Sequence, residues 1–224
     1  MDKCRWCGGF LNATLKIHFI LSFKPFLPQI LCEQCEAKFT LPLNHPRCCD
    51  CGRFQTTTQR CQDCEKWLAQ KNQLLNQALF PYHGIIQEYF ERYKFKGDYR
   101  LRHLFRYQFK KLIQKDELVI PIPITKATLA KRHFNQVTGM LSEVTYLDAL
   151  IAKPKAQDQS EKGRAARINT MQPFELNPKI TSQIQGQKIV IVDDVYTTGT
   201  TLHYAAQLLR EQGAKSVRSI TLAR

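Results

Sequence analysis

All nine cysteines of this 224-residue chain lie between Cys4 and Cys64. Eight of them form four C-x-x-C pairs: Cys4/Cys7, Cys32/Cys35, Cys48/Cys51 and Cys61/Cys64. Two intervening residues let a tight turn aim both thiolates at one ion. Two such pairs complete a tetrahedral sulfur shell, with Zn–S near ~2.3 Å. Gly8, Gly9, Asp50 and Gly52 sit in or beside the pairs and are the residues such turns use. The odd count and the lack of a secretion leader in MDKCRWCGGF argue against a disulfide framework. The expectation is therefore two structural zinc ions, since no His or carboxylate leaves an open coordination position. Sequential sharing (Cys4, Cys7, Cys32, Cys35 and Cys48, Cys51, Cys61, Cys64) and a crossed arrangement both fit the spacings. Cys49 is left over.

A second group of residues is chemically suggestive in a different way. Val190-Ile191-Val192-Asp193-Asp194-Val195-Tyr196-Thr197-Thr198-Gly199-Thr200-Thr201 carries an apolar run into two carboxylates and then a Thr/Gly turn. Backbone N–H groups of such a turn, at the start of a helix, form an anion nest, and Gly199 permits close backbone approach. The hydroxyls of Thr197, Thr198, Thr200 and Thr201 add donors for phosphate oxygens. Asp193 and Asp194 can accept from vicinal ribose hydroxyls, directly or through Mg²⁺. A sugar phosphate would then lie across the C-terminal end of a strand.

The elements that must hold these groups are legible as an alternating pattern from Pro81 onward. Glu117–Ile124, Lys188–Val192 and Ser216–Leu222 read as strands, Thr138–Leu150 and Leu202–Gln212 as helices, with Gly213 as a C-terminal stop. That alternation predicts an α/β fold with a parallel sheet. Residues 153–170 are polar and basic and read as a long loop. Residues 67–80 read as a connecting helix between a cysteine domain, 1–66, and the α/β domain, 81–224.

Charge separates the two parts. Residues 1–70 hold nine basic and six acidic side chains, whereas 71–224 hold 24 and 13, so most of the net +14 belongs to the larger part. Such an excess favours polyanionic partners. Arg92–Lys115 concentrates it, with nine Lys or Arg against Asp98 alone. Arg102, Arg106 and Lys110 recur at four-residue spacing, and Tyr93, Phe95, Tyr99, Tyr107 and Phe109 are interleaved. Read as one helix face with stacking platforms, this suits single-stranded DNA; a solvated basic face over an aromatic core fits the same residues. Ile17–Leu31, the most apolar stretch, carries Lys24, Pro25 and Pro28 and is too short to span a bilayer, which needs ~20 apolar residues. A cytoplasmic protein without membrane insertion is expected.

The Val190–Thr201 run resembles the phosphoribosyl-pyrophosphate (PRPP) signature of type I phosphoribosyltransferases. Three further segments resemble the ComF/GntX family: Tyr93-Lys94-Phe95-Lys96-Gly97-Asp98, Arg132-His133-Phe134-Asn135-Gln136, and Gln157 through Phe174 with Arg167, Asn169 and Phe174. The four cysteine pairs are similar to that family's amino-terminal double zinc ribbon. His133 stands where the family usually has Gly. The resemblance implies a type I phosphoribosyltransferase-like domain that binds PRPP with Mg²⁺, and a role in natural competence: handling incoming single-stranded DNA, with a competence helicase or recombination proteins as partners. It points to Arg132, Asn135, Lys162, Arg164 and Arg167 on the pyrophosphate side. No acceptor pocket is legible, so transfer chemistry is not implied by the residues. A nucleobase-salvage phosphoribosyltransferase is the alternative.

Overall fold

The computed structural model describes residues 3–11, 29–42, 45–154 and 172–224. Lys162, Arg164, Arg167 and Asn169, and most of the loop expected at 153–170, lie outside the described residues. The cysteine-bearing part contributes two helices, α1 (Glu33–Lys38) and α2 (Gln62–Ala69). Four strands then make one parallel sheet: β1 (Asn76–Phe80), β2 (Glu117–Pro121), β5 (Lys188–Val195) and β6 (Ser216–Ala223), in the order β1-β6-β5-β2. A separate antiparallel pair joins β3 (Leu150–Ala152) and β4 (Phe174–Leu176).

The sheet is central because its sequence is apolar on both faces. In β5, Val190 and Val192 pack among the buried aromatics Tyr89, Phe90, Tyr93 and Phe105, while Ile189 and Ile191 pack against the opposite helix. Continuous apolar runs of this kind belong to parallel strands covered on both sides. The opposite helix is α7 (Thr200–Glu211), and it buries Leu202, Ala205, Ala206 and Leu209 at helical spacing. Each fully buried Leu contributes ~1.5–3 kcal/mol. The aromatic face is made by α3 (Ile85–Phe90), a π-helical turn at Glu91–Phe95, a 3₁₀ turn at Tyr99–His103, and α4 (Arg106–Leu112). Two short helices, α5 (Lys126–Arg132) and α6 (Gln136–Met140), follow β2.

Three expectations are corrected. Residues 67–80 are not one helix: α2 ends at Ala69, and Asn76–Phe80 forms β1, hydrogen-bonded to β6 in the register Asn76↔Ser219 to Phe80↔Ala223. Asn-Gln-Ala-Leu-Phe has no β-branched residue, so its strand state comes from pairing and from burying Ala78, Leu79 and Phe80, not from propensity. The helix expected over 138–150 stops at Met140, and Leu150 opens β3. Arg102, Arg106 and Lys110 do not share one helix face. Arg102 belongs to the 3₁₀ turn, and Arg106, at the start of α4, is mostly covered in an ion pair with Glu143 at 2.6 Å.

Candidate functional site

The eight paired cysteines form two separate groups of four, Cys4, Cys7, Cys32, Cys35 and Cys48, Cys51, Cys61, Cys64. Within each group all sulfurs lie within 4.8 Å of one another. Sequential sharing is therefore the arrangement adopted, and the crossed one is not. The donor set fits a tetrahedral ion: a Zn–S bond near ~2.3 Å gives a sulfur–sulfur edge of ~3.8 Å. Cys7 and Cys32 are 3.8 Å apart, and Cys51 and Cys61 3.7 Å, close to that edge and far from the ~2.05 Å of a disulfide. Each group can hold one metal ion. Cys49 is exposed, stands outside both groups, and donates to Asp50 Oδ1 at 3.7 Å.

At its C-terminal edge, β5 delivers Asp193 and Asp194. Alternation along a strand sends successive side chains to opposite faces. Asp194 lies on the aromatic face, where Lys94 Nζ reaches its Oδ2 at 2.8 Å. Lys94 in turn sits 4.4 Å from the centre of the Phe90 ring, and both partners of the ion pair are largely covered. Asp193 bends back to accept the Asp194 N–H at 2.8 Å. Burial, reinforced by the Asp194 charge, pushes the Asp193 carboxyl well above the ordinary carboxylate range. The adjacent acids are thus electrostatically unequal, one paired with a cation and one with a raised pKa.

Thr197, Thr198 and Gly199 form the turn, and α7 begins at Thr200. Gly199 has φ +85°, a conformation that suits glycine, and a Cβ there would run into the Tyr196 ring. Thr197, Thr198 and Thr201 are exposed and Thr200 half-buried; the Thr198 and Thr200 hydroxyls are 2.8 Å apart. The geometry sets threonine hydroxyls, three of them on exposed residues, and a helix N-terminus beside two carboxylates.

The remaining expected residues divide. Arg132, the last residue of α5, donates to Gln136 Oε1 at 3.0 Å and stands 5.8 Å from the exposed Phe95 ring. His133 follows it with φ +65°, so a side chain occupies the left-handed position that glycine would take without strain. Asn135 caps α6, accepting from Val137 N at 2.8 Å and donating to Ile122 O at 3.2 Å. Both ends of that amide are occupied by backbone, so its role in the structure is to fix the β2 exit. Arg102 stacks on Tyr99, 4.1 Å from ring centre to guanidinium carbon, and Lys110 is exposed. Tyr93 and Phe109 are fully buried core residues, not platforms.

Sequence reasoning passed over four participants. Lys94 lay inside a basic motif but was not singled out. Trp67, His203 and Arg224 carry no local signal, because each meets the turn only through the fold. The Trp67 ring stacks on His203 at 4.1 Å and donates its N–H to Thr198 O at 3.0 Å. Burial holds the His203 imidazole down to about 4. As the neutral ring, it donates from Nδ1 to Asn72 O at 2.6 Å and accepts from the Tyr196 hydroxyl at 3.0 Å.

Comparison with known proteins bears on this arrangement. The phosphoribosyl transferase domain family matches residues 110–224, a span that includes the carboxylates and the turn. Competence protein ComFC of Streptococcus pneumoniae is 32% identical over 226 residues, covering 99% of this chain and all of that one. The chain belongs to the ComF/GntX family of phosphoribosyltransferase-like proteins. ComFC of Bacillus subtilis is 31% identical, covering 99% of this chain and 94% of its own. A uracil phosphoribosyltransferase of Ligilactobacillus salivarius is 25% identical over 125 residues, covering 54% of this chain and 60% of its own. The ComF/GntX match spans both cysteine sites and the sheet, whereas the uracil enzyme's match spans little more than half the chain. No described helix is long and apolar enough to cross a membrane.

Proposed function

We propose that this ComF/GntX protein binds PRPP with Mg²⁺ at the C-terminal end of β5 and acts in natural competence, handling incoming single-stranded DNA in the cytoplasm. The observation that carries the reading is the Asp193–Asp194 pair beside an exposed Thr/Gly turn at the start of α7, in a chain similar to ComFC over its whole length. Amides of the turn and hydroxyls of Thr197, Thr198, Thr200 and Thr201 bind the 5′-phosphate; Asp193 and Asp194 accept from the ribose hydroxyls. Mg²⁺ bound with PRPP would supply charge neutralisation at the pyrophosphate, and Arg132 and Arg167 are the basic residues assigned to that side. The two cysteine groups hold structural zinc. Exposed Phe95 and Tyr99, with Arg102 stacked on the latter, and exposed Lys110 on α4 supply the mixture of rings and cations that single strands favour. A competence helicase or recombination proteins are the partners of that role.

Calorimetric titration of PRPP with Mg²⁺ tests the pocket. Wild type is expected to bind, and Asp193→Ala with Asp194→Ala to weaken binding by at least about 100-fold, roughly 2.7 kcal/mol, while keeping the wild-type circular dichroism. No binding to wild type would overturn the PRPP reading. For DNA, Arg102→Glu with Lys110→Glu should weaken single-strand affinity, and unchanged affinity would remove this surface from consideration. Salvage chemistry is favoured by the likeness to uracil phosphoribosyltransferase. Release of pyrophosphate from PRPP on adding a free nucleobase would establish it in place of the competence reading.

A further inference from the structure

The second cysteine site is fastened to the Thr/Gly turn by two side chains. Arg224 follows β6 and has a nearly covered side chain. Its Nε donates to Cys51 Sγ at 3.3 Å and its Nη2 to Asp63 Oδ2 at 3.1 Å, both in the cysteine part. Its Nη1 donates to the carbonyls of Tyr196, at 3.3 Å, and Thr197. The guanidinium carbon stands 4.6 Å from the Tyr196 ring centre. Trp67, on the same helix as Cys64, takes the next carbonyl, that of Thr198. Three consecutive carbonyls of the turn, 196 to 198, are therefore held by groups anchored at the second site.

The peptide unit is planar and trans, so a carbonyl oriented one way points the following N–H the other way. Holding carbonyls 196 to 198 orients the N–H groups of Thr197, Thr198 and Gly199 away from the cysteine part. Those are the amides of the anion nest. The first site makes none of these contacts among the described residues: its side-chain ties run to Arg92, whose Nη1 donates to Trp6 O at 2.9 Å, and to Phe105 through Phe39.

We propose that the second four-cysteine site is the anchor that shapes the phosphate-binding turn, with Arg224 and Trp67 as positioning residues between them. The affinity part of this inference rests on the PRPP reading above; the mechanical part does not. A metal ion held by Cys48, Cys51, Cys61 and Cys64 would fix the Cys51 sulfur that accepts from Arg224, and through it the turn.

Hydrogen exchange in the full chain of the peptide spanning 196–203, whose Tyr196 and His203 amides donate to Ala223 O and Gly199 O at 2.9 Å each, is the direct measurement. Arg224→Ala, confirmed by metal analysis to keep two ions per chain, should exchange there at least about tenfold faster than wild type. Stripping the metals from wild type should accelerate the same amides. Trp67→Phe keeps the ring on His203 but loses the donor, and should give a smaller acceleration at the same peptide. Unchanged exchange in metal-replete Arg224→Ala overturns the anchor whatever the ligand. Faster exchange with PRPP affinity also lowered at least about tenfold supports the inference in full. Faster exchange with unchanged affinity overturns its affinity part. Faster exchange in a wild type that binds no PRPP would leave the anchor standing and fail the proposed function instead.

Discussion

The two cysteine sites are built alike and used differently. In each, a basic residue precedes the first cysteine and pairs across an antiparallel bridge with a phenylalanine: Lys3 with Phe10, and Arg47 with Phe54. In each, the residue after the second cysteine is a glycine with positive φ, +78° at Gly8 and +72° at Gly52. In each, the third cysteine stands at the N-cap position of a helix, Cys32 for α1 and Cys61 for α2, without a side-chain capping bond. Yet Cys7 is exposed and Cys32 half-buried at the first site, whereas all four cysteines of the second are buried. The first site leans on the aromatic face, with the Arg92 guanidinium carbon 4.2 Å from the Trp6 ring centre and Arg92 paired with Asp98 at 3.2 Å. The second is packed under β1 and the Thr/Gly turn, where Asn76 donates to Cys51 O at 3.0 Å and to Thr221 Oγ1 at 3.0 Å. The same ligand chemistry braces two different walls of the sheet, and what surrounds each knuckle decides which.

The largest test of that contrast removes a ligand from each site. Structural zinc contributes folding free energy directly, about 10 kcal/mol or more in small zinc modules. Cys51→Ser is expected to lose one metal per chain and lower the melting temperature of the whole protein by more than about 10 °C, because the Cys51 sulfur also accepts from Arg224. Cys7→Ser should also lose one metal but cost less than half as much in calorimetry. Equal losses would mean the second site is no more deeply integrated than the first.

A finer comparison uses the paired glycines. Gly8→Ala meets open space and carries only the cost of left-handed backbone, about 1 kcal/mol. Gly52→Ala adds contacts with Ala78 N at 3.1 Å and Asn76 O at 3.2 Å, both backbone atoms of β1, and should cost about 2–3 kcal/mol by denaturant unfolding. Similar values at the two positions would contradict the close docking of the second knuckle on the sheet.

The smallest effect is in the pH dependence. His203 is held neutral by burial, its pKa down to about 4. The unfolded chain takes up this proton near the ordinary pKa of ~6.5 and the folded one does not, so stability falls as pH drops from about 6.5 to 4 and levels off below. Half-buried His103, also down to about 4 through burial and the neighbouring arginines, contributes in the same window. His203→Gln should flatten part of that slope; an unchanged slope would assign it elsewhere.

How much of this was legible before the fold depended on range. The cysteine pairs and the Val190–Thr201 run were readable because each is a local pattern: two-residue spacers, an apolar strand, a turn rich in Gly and Thr. The strand at Lys188 announced itself by continuous apolar sequence, that at Ser216 by the β-branched Val217, Ile220 and Thr221, and Leu202, Ala205, Ala206 and Leu209 by helical spacing. Asn76–Phe80 did not, since Asn-Gln-Ala-Leu-Phe has no β-branched residue and only Phe80 favours a strand until β6 lies beside it. The basic run at Arg92–Lys115 was visible as charge, but Arg106 is spent on Glu143, 37 residues later in the chain.

The sequence by itself determined that eight thiolates come in four chelating pairs, that an acid pair precedes a Thr/Gly turn, and that parallel strands carry it. These follow from spacing and from backbone preferences acting over a few residues. Tertiary structure alone decided which pairs share an ion, that Asp194 faces Lys94, and that Arg224 and Trp67 grip the turn from the second cysteine site. The Lys94–Asp194, Arg224–Cys51 and Trp67–Thr198 contacts join residues about 100 or more positions apart, and only burial of the sheet's two faces brings them within hydrogen-bond reach.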